Sequence, residues 1–257
     1  MNFADLAPVT ALTVGALMVS VWLLSVVLRD ASIVDIVWGL GFAVIAVVGS
    51  FLGTETPRAR LVLALAAIWG MRLAVHLFRR NAGKGEDYRY QAMRRRWGSR
   101  FGVVSLFTVF ALQGVIMWVV SLPVQAAQTA TGGFTVTDAA GAAVWLLGFA
   151  FESIGDEQLR RFKADPASQG RVMDSGLWRY TRHPNYFGDA TLWWGLGIIG
   201  AGTGAWWSLV GPLVMTVFLL RVSGVPLLER RMQRTRPGYA EYVRRTSSFL
   251  PLPPRKG

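Results

Sequence analysis

The run PVTALTVGALMVSVWLLSVVL, residues 8–28, carries no charged side chain. A helix needs roughly 20 mostly apolar residues to cross a bilayer, and this stretch meets that length. Reading outward from it, residues 33–53 are apolar apart from Asp35. Residues 61–78 form a third segment interrupted by Arg72 and His76, and residues 103–123 a fourth that is uncharged. Residues 139–155 are a fifth, ending with Glu152, and 187–201 and 205–220 two more, parted by the turn-prone Gly202-Thr203-Gly204. The pattern predicts an all-α polytopic membrane protein: one integral membrane domain over residues 1–257 with seven transmembrane helices and a cytoplasmic interfacial tail, 226–257. No Lys or Arg precedes the first segment and Asp5 does, which argues against a cleaved signal peptide.

Composition agrees with lipid as the solvent. The 257 residues are 53% hydrophobic and only 16% charged, with a mean hydropathy of +0.38, whereas a soluble domain carries about a quarter charged residues. Cysteine is absent, which excludes disulfides and thiolate chemistry, and two His do not make a metal cage. All but three of the 27 basic residues are Arg, and 24 of the 27 fall in alternate loops, after the first, third, fifth and seventh segments. By the positive-inside rule the N-terminus is then outside and the C-terminus cytoplasmic. Nucleic acid is not needed to explain the net charge of +12.

Charges within apolar spans cost at least ~2.5–3.5 kcal/mol unless paired or hydrated. Asp35 and Trp38 share a helical face, as do Trp69, Arg72 and His76. Two readings are open: an Asp35–Arg72 pair that locks two helices together, or a cavity wall with a proton donor. An unpaired Asp35 would have a raised pKa and suit the donor role.

The remaining polar chemistry lies between spans. The segment Asn81-Ala82-Gly83-Lys84-Gly85-Glu86-Asp87-Tyr88 sets two glycines around a Lys, a flexible turn able to approach an anion, followed at once by acidic and aromatic residues. Arg94-Arg95-Arg96 beyond it reads as a lipid-headgroup contact. Glu152, Asp156, Arg160 and Lys163 form one polar stripe, equally the pattern of an exposed helix with ion pairs. Pro184 opens a helix beside Arg179, Arg182 and His183, an arrangement suited to phosphate. A capping turn would account for the Pro and Tyr residues there but not for Asn185 and Asp189, four apart, entering an apolar span. Gly195-Leu196-Gly197-Ile198-Ile199-Gly200 matches a dinucleotide fingerprint out of context, inside an apolar span, and reads as helix packing.

With the Gly176…Tyr180…Asn185-Tyr186-Phe187-Gly188-Asp189 core, the stretch from Glu152 to Asp189 resembles the C-terminal domain of steroid 5α-reductases. Bacterial relatives of those enzymes share the Gly83-Lys84-Gly85-Glu86-Asp87-Tyr88 loop and the Asp35…Trp38-Gly39 segment. The resemblance implies a seven-helix reductase that takes NADPH from the cytoplasm and saturates the C=C bond of a hydrophobic enone, a 3-oxo-Δ4 steroid or similar lipid. It implies a cofactor site of Asn81, Lys84, Tyr88, Asp156, Arg160, Lys163, Tyr180, Asn185, Asp189 and Arg221, joined by Arg182 and His183. Lys163 stands where the steroid enzymes have Arg, and Asp189 where they have Glu. Asp35 is the counterpart of their carbonyl-holding Glu, while Trp69 falls at the position of their Tyr and Val225 at that of a second His. Asp35, Trp69 and His76 are thus the catalytic candidates, and Asp35, Trp38 and Arg72 the substrate contacts.

Isoprenylcysteine carboxyl and phospholipid methyltransferases, which bind S-adenosylmethionine, share a similar Arg182-His183-Pro184-x-Tyr186-x-Gly188 turn and a tail like Glu229…Tyr239-Ala240-Glu241-Tyr242. They do not need the Asp156-Arg160-Lys163 stripe. A transporter would spread polar residues across the midplane. The tail carries Arg230, Arg231, Arg234 and Arg236 beside Leu227, Leu228 and Met232, the pattern of an amphipathic interfacial helix. The expected partners are an enone lipid and membrane lipids, with the chain a monomer.

Overall fold

The structure is a computed structural model and describes residues 1–222 and 224–255. The side chains of Leu227 and Arg231 and the terminal Lys256, assigned above to the basic tail, lie outside the described residues. Helix α1 spans Phe3–Leu28, α2 Ile33–Leu52, α3 Pro57–Asn81 and α4 Tyr88–Val120. A short α5 spans Leu122–Thr129, followed by α6 (Val136–Ala164), α7 (Pro184–Ala201), α8 (Trp206–Val222), α9 (Val225–Thr235) and α10 (Tyr239–Arg245). Among the described residues β pairing is limited to one bridge, Thr181 to Ser247.

Local chemistry explains the helix starts. Asn2 and Asp5 form a reciprocal capping box on α1, and the Thr56 hydroxyl accepts from the Ala59 amide at 3.1 Å ahead of Pro57 on α3. Asp87 caps α4 by accepting from the Arg89 amide at 3.0 Å.

Four helices among the described residues, α1 to α4, are long and apolar enough to cross a membrane. The expectation of seven is corrected accordingly. In α6 the uncharged run between Asp138 and Glu152 is 13 residues, or about 20 Å of helix against roughly 30 Å of hydrocarbon. Helix α7 opens with Asn185 and Asp189, leaving residues 190–201 as its apolar part, and α8 is a shorter apolar helix broken by 3-10 and π turns. A window counting apolar residues passed over these polar starts and backbone breaks. The loop alternation that put the N-terminus outside and the C-terminus in the cytoplasm depended on seven spans and falls with them. The integral membrane character stands on α1 to α4.

The chain divides into two compact units. The first holds residues 1–138 and 199–211. Its α2 and α3 touch backbone to backbone: a Cβ on Gly39 would lie 2.6 Å from the Gly70 carbonyl oxygen. Helix α5 is buried in this unit, and its amides are bonded there, Gln125 by the Thr10 hydroxyl at 2.7 Å and Gln128 onto the Ala46 carbonyl at 2.6 Å. The second unit holds residues 139–198 and 212–257. There α6 and α7 are drawn together by glycines. A Cβ on Gly148 would sit 2.4 Å from the Leu192 nitrogen, and one on Gly195 2.6 Å from the Trp145 nitrogen. The out-of-context fingerprint glycine Gly195 is thus a helix-packing position.

Candidate functional site

In the first unit the loop after α3 is fastened to the turn between α1 and α2. The Ala31 amide donates to Glu86 at 2.9 Å, and the Asp87 amide to the Ser32 hydroxyl at 3.0 Å. Arg94 grips Glu86 with two nitrogens, at 2.9 and 2.7 Å, the bidentate geometry that makes Arg–carboxylate pairs strong. Burial would raise the Glu86 carboxyl, but Arg94 and the Ala31 amide outweigh it and hold the group below the usual carboxylate range. Asp87 is held low in the same way, burial being outweighed by Arg89.

This fastening brings the start of α4 onto Asp35. Arg89 Nη2 donates to Asp35 Oδ2 at 2.6 Å, and the Tyr90 hydroxyl donates to Oδ1 at 2.8 Å. The partners of Asp35 are therefore Arg89 and Tyr90, where the sequence suggested Arg72. Both carboxylate oxygens thus accept a hydrogen bond from α4. Tyr90, 5% exposed, is the residue that sequence reading passed over. An Asp inside an apolar segment signals that some partner must exist, but spacing along one helix cannot point to a residue 55 positions away. Trp38 and Trp69 are linked through Phe42, with ring centroids 5.2 and 5.4 Å apart. Arg72 and His76 are half-buried on α3.

Of the loop residues assigned to a cofactor, Tyr88 is exposed, and Lys84 Nζ donates to the Arg80 carbonyl at the end of α3. Such a contact satisfies one of the carbonyls a helix end leaves open. Asn81 Nδ2 is buried and has no hydrogen-bond partner among the described residues.

In the second unit Glu152 and Asp156 are buried on α6. Asn185, in the first turn of α7, donates from Nδ2 to Asp156 Oδ1 at 3.0 Å and accepts from the Tyr186 amide at 3.1 Å. The glycine contacts of α6 and α7 set this distance, since a Cβ on Gly155 would approach the Asn185 nitrogen to 3.2 Å. Asp189 is half-buried one turn further along, and Tyr180, Lys163 and Arg221 are exposed. Arg160 is exposed and pairs with Glu157 at 2.7 Å; together with Arg161 it draws the Glu157 carboxyl down to about 2.

Arg182 and His183 serve a clasp. Arg182 donates to Glu229 at 2.8 Å and to the Val243 and Thr246 carbonyls, and His183 Nε2 lies 3.2 Å from the same Glu229 oxygen. Burial would raise Glu229, but His183 and Arg182 outweigh it and keep it low. Burial, then the charge of Glu229, pushes the Tyr239 phenol up to about 12. The tail continues along the same loop: the Arg182 amide donates to the Ser247 carbonyl at 2.8 Å, and the Leu252 amide to the Tyr180 carbonyl at 3.0 Å.

The protein family described as "Protein of unknown function (DUF1295)" matches residues 21–246. The chain belongs to this family. The match covers α1 from Val21 onward, the whole of α2 to α4, the Asp35–Tyr90 cluster and nearly all of the clasp. Among curated proteins this DUF1295 chain is similar to the uncharacterized protein C594.04c of Schizosaccharomyces pombe, 25% identical over 296 positions that cover 98% of this chain and 83% of the yeast protein. No solved structure matches it.

Proposed function

We propose that this DUF1295 protein is a membrane reductase that uses NADPH to saturate the C=C bond of an α,β-unsaturated ketone in a hydrophobic lipid, with a 3-oxo-Δ4 steroid as the model substrate. The observation that carries the reading is the Asp156–Asn185 contact of 3.0 Å. It joins two polar side chains, 29 residues apart, that the resemblance to steroid 5α-reductases assigns to the cofactor. The donor set of the second unit fits such a group. The Asn185 amide, fixed by Asp156 and the Tyr186 amide, keeps a second N–H for a neutral part of the dinucleotide. The exposed Lys163 and Arg221 carry charge suited to phosphate. When bound, the dinucleotide supplies the hydride that the β-carbon of the enone receives.

A second reading, an S-adenosylmethionine-dependent methyltransferase, is favoured by the clasp. The Arg182-His183-Pro184 turn and the Glu229…Tyr242 tail that those enzymes share are the segments joined through Glu229. Thermal stabilisation of the detergent-purified protein separates the two readings. A ligand at one hundred times its Kd stabilises by about 2.7 kcal/mol. Stabilisation by NADPH that disappears in Asn185→Ala supports the reductase; stabilisation by S-adenosylmethionine alone overturns it.

A further inference from the structure

We propose that Arg95, Arg96, Arg100 and Trp97 form a docking surface for the headgroups of anionic phospholipids at the mouth of α4. The structure sorts the arginines of this segment into two sets. Arg89 is bound to Asp35 and Asp87, and Arg94 is gripped by Glu86 and stacked over Phe101 at 4.5 Å. Arg95, Arg96 and Arg100 are exposed and make no ion pair among the described residues. The triplet Arg94-Arg95-Arg96 is therefore split: its first member holds the loop, and the other two face outward.

Position points to the occupant. The uncharged run of α4 starts at Phe101 and continues to Val120, 20 residues, the length that crosses the hydrocarbon. Val103 and Phe107, four apart, are about two-thirds exposed on that run, as side chains facing lipid are. The free arginines lie at most six residues before Phe101, in the layer where headgroups sit. Gly98, with φ +52°, ends the regular Tyr88–Trp97 stretch just before the apolar run begins. Trp97, 40% exposed and 5.6 Å from the Arg96 guanidinium, is the amphipathic ring expected at that boundary. Exposed arginine charge at headgroup depth, beside an interfacial indole, suits an anionic phospholipid, whose acyl chains would run along the apolar α4 surface.

The test compares phosphatidylglycerol with phosphatidylcholine in mixed micelles on the full-length protein, reading retained lipid by native mass spectrometry. An arginine near an anionic surface is worth about fivefold in affinity. The preference for phosphatidylglycerol should then fall roughly hundredfold in Arg95→Gln/Arg96→Gln/Arg100→Gln. It should persist in the matching triple Lys variant and in Arg161→Gln/Arg171→Gln/Arg244→Gln, which removes the same charge from the second unit. It should also weaken steeply with salt. An unchanged preference in the first variant overturns the proposal. So does an equal loss in the second-unit variant, which would mean net charge alone, or full displacement by millimolar inorganic pyrophosphate, which would mean a site for free anions.

Discussion

Arg58 in the first unit and Arg182 in the second are both almost wholly buried, and each guanidinium reaches a carboxylate at 2.8 Å. Their surroundings differ. Arg58 ties the start of α3 to Asp138 and the Gly133 carbonyl, closing one end of a unit whose long apolar helices already pack along their lengths. Arg182 holds Glu229 and two carbonyls of the tail, in a unit whose helices carry shorter apolar runs. Where apolar length is plentiful, an ion pair finishes the fold; where it is scarce, one guanidinium joins the loop before α7 to α9 and to the end of α10, beside the hydrogen bonds that Thr181 and Tyr242 add.

The sharpest way to break this comparison is to remove the two arginines separately. Stripping one partner from a buried pair costs about 3–5 kcal/mol. We expect Arg182→Ala to sit at the upper end, because Glu229, His183 and two tail carbonyls lose their partner, and proteolysis should then open residues 246–255 first. Arg58→Ala is expected near 3 kcal/mol by thermal unfolding, with the tail still protected. A larger loss for Arg58 would reverse the argument.

Both carboxylate partners are held below their ordinary range, Asp138 because Arg58 and Thr135 outweigh its burial and Glu229 because of the clasp. A group whose folded pKa is depressed contributes fully above its unfolded value, near 4, and loses that contribution as pH falls through the folded value. Melting temperature should therefore hold above about pH 5 and decline in acid, less steeply in Asp138→Asn.

Next in size is Gly39→Ala. Its Cβ would meet the Gly70 carbonyl at 2.6 Å, and backbone cannot step aside as a side-chain tip can. Overpacking of this kind costs about 1–3 kcal/mol, and it should appear as weakened α2–α3 packing with the clasp intact. The smallest expected effect is Glu157→Gln. Despite its two arginine partners this carboxylate is solvated, and surface pairs contribute little, so unfolding should move within experimental scatter.

The residues that the sequence singled out divide along a physical line. Asp35 was conspicuous because a charge in an apolar run must find a partner, yet the partners lie 54 and 55 residues further on, at Arg89 and Tyr90. Asn185 and Asp189 stood out for the same reason, and Asn185 meets Asp156 across the α6–α7 contact. Arg182 and His183 looked like phosphate ligands beside a helix start. Their partner Glu229 lies 46 and 47 residues away, in a tail otherwise read as a lipid-facing helix. Hydropathy counted seven segments, but among the described residues only α1 to α4 are long and apolar enough to cross a membrane.

By itself the sequence determined that lipid is the solvent, that the chain is helical, and where α1 to α3 and the apolar part of α4 run. Transfer of apolar side chains is a local, nearly additive quantity, so a linear string records it. Tertiary structure alone decided which charges meet, which arginines remain outside those pairs, and that the later segments fall short of spans. Those outcomes depend on groups tens of residues apart being brought within 3 Å, and on backbone breaks that composition does not register.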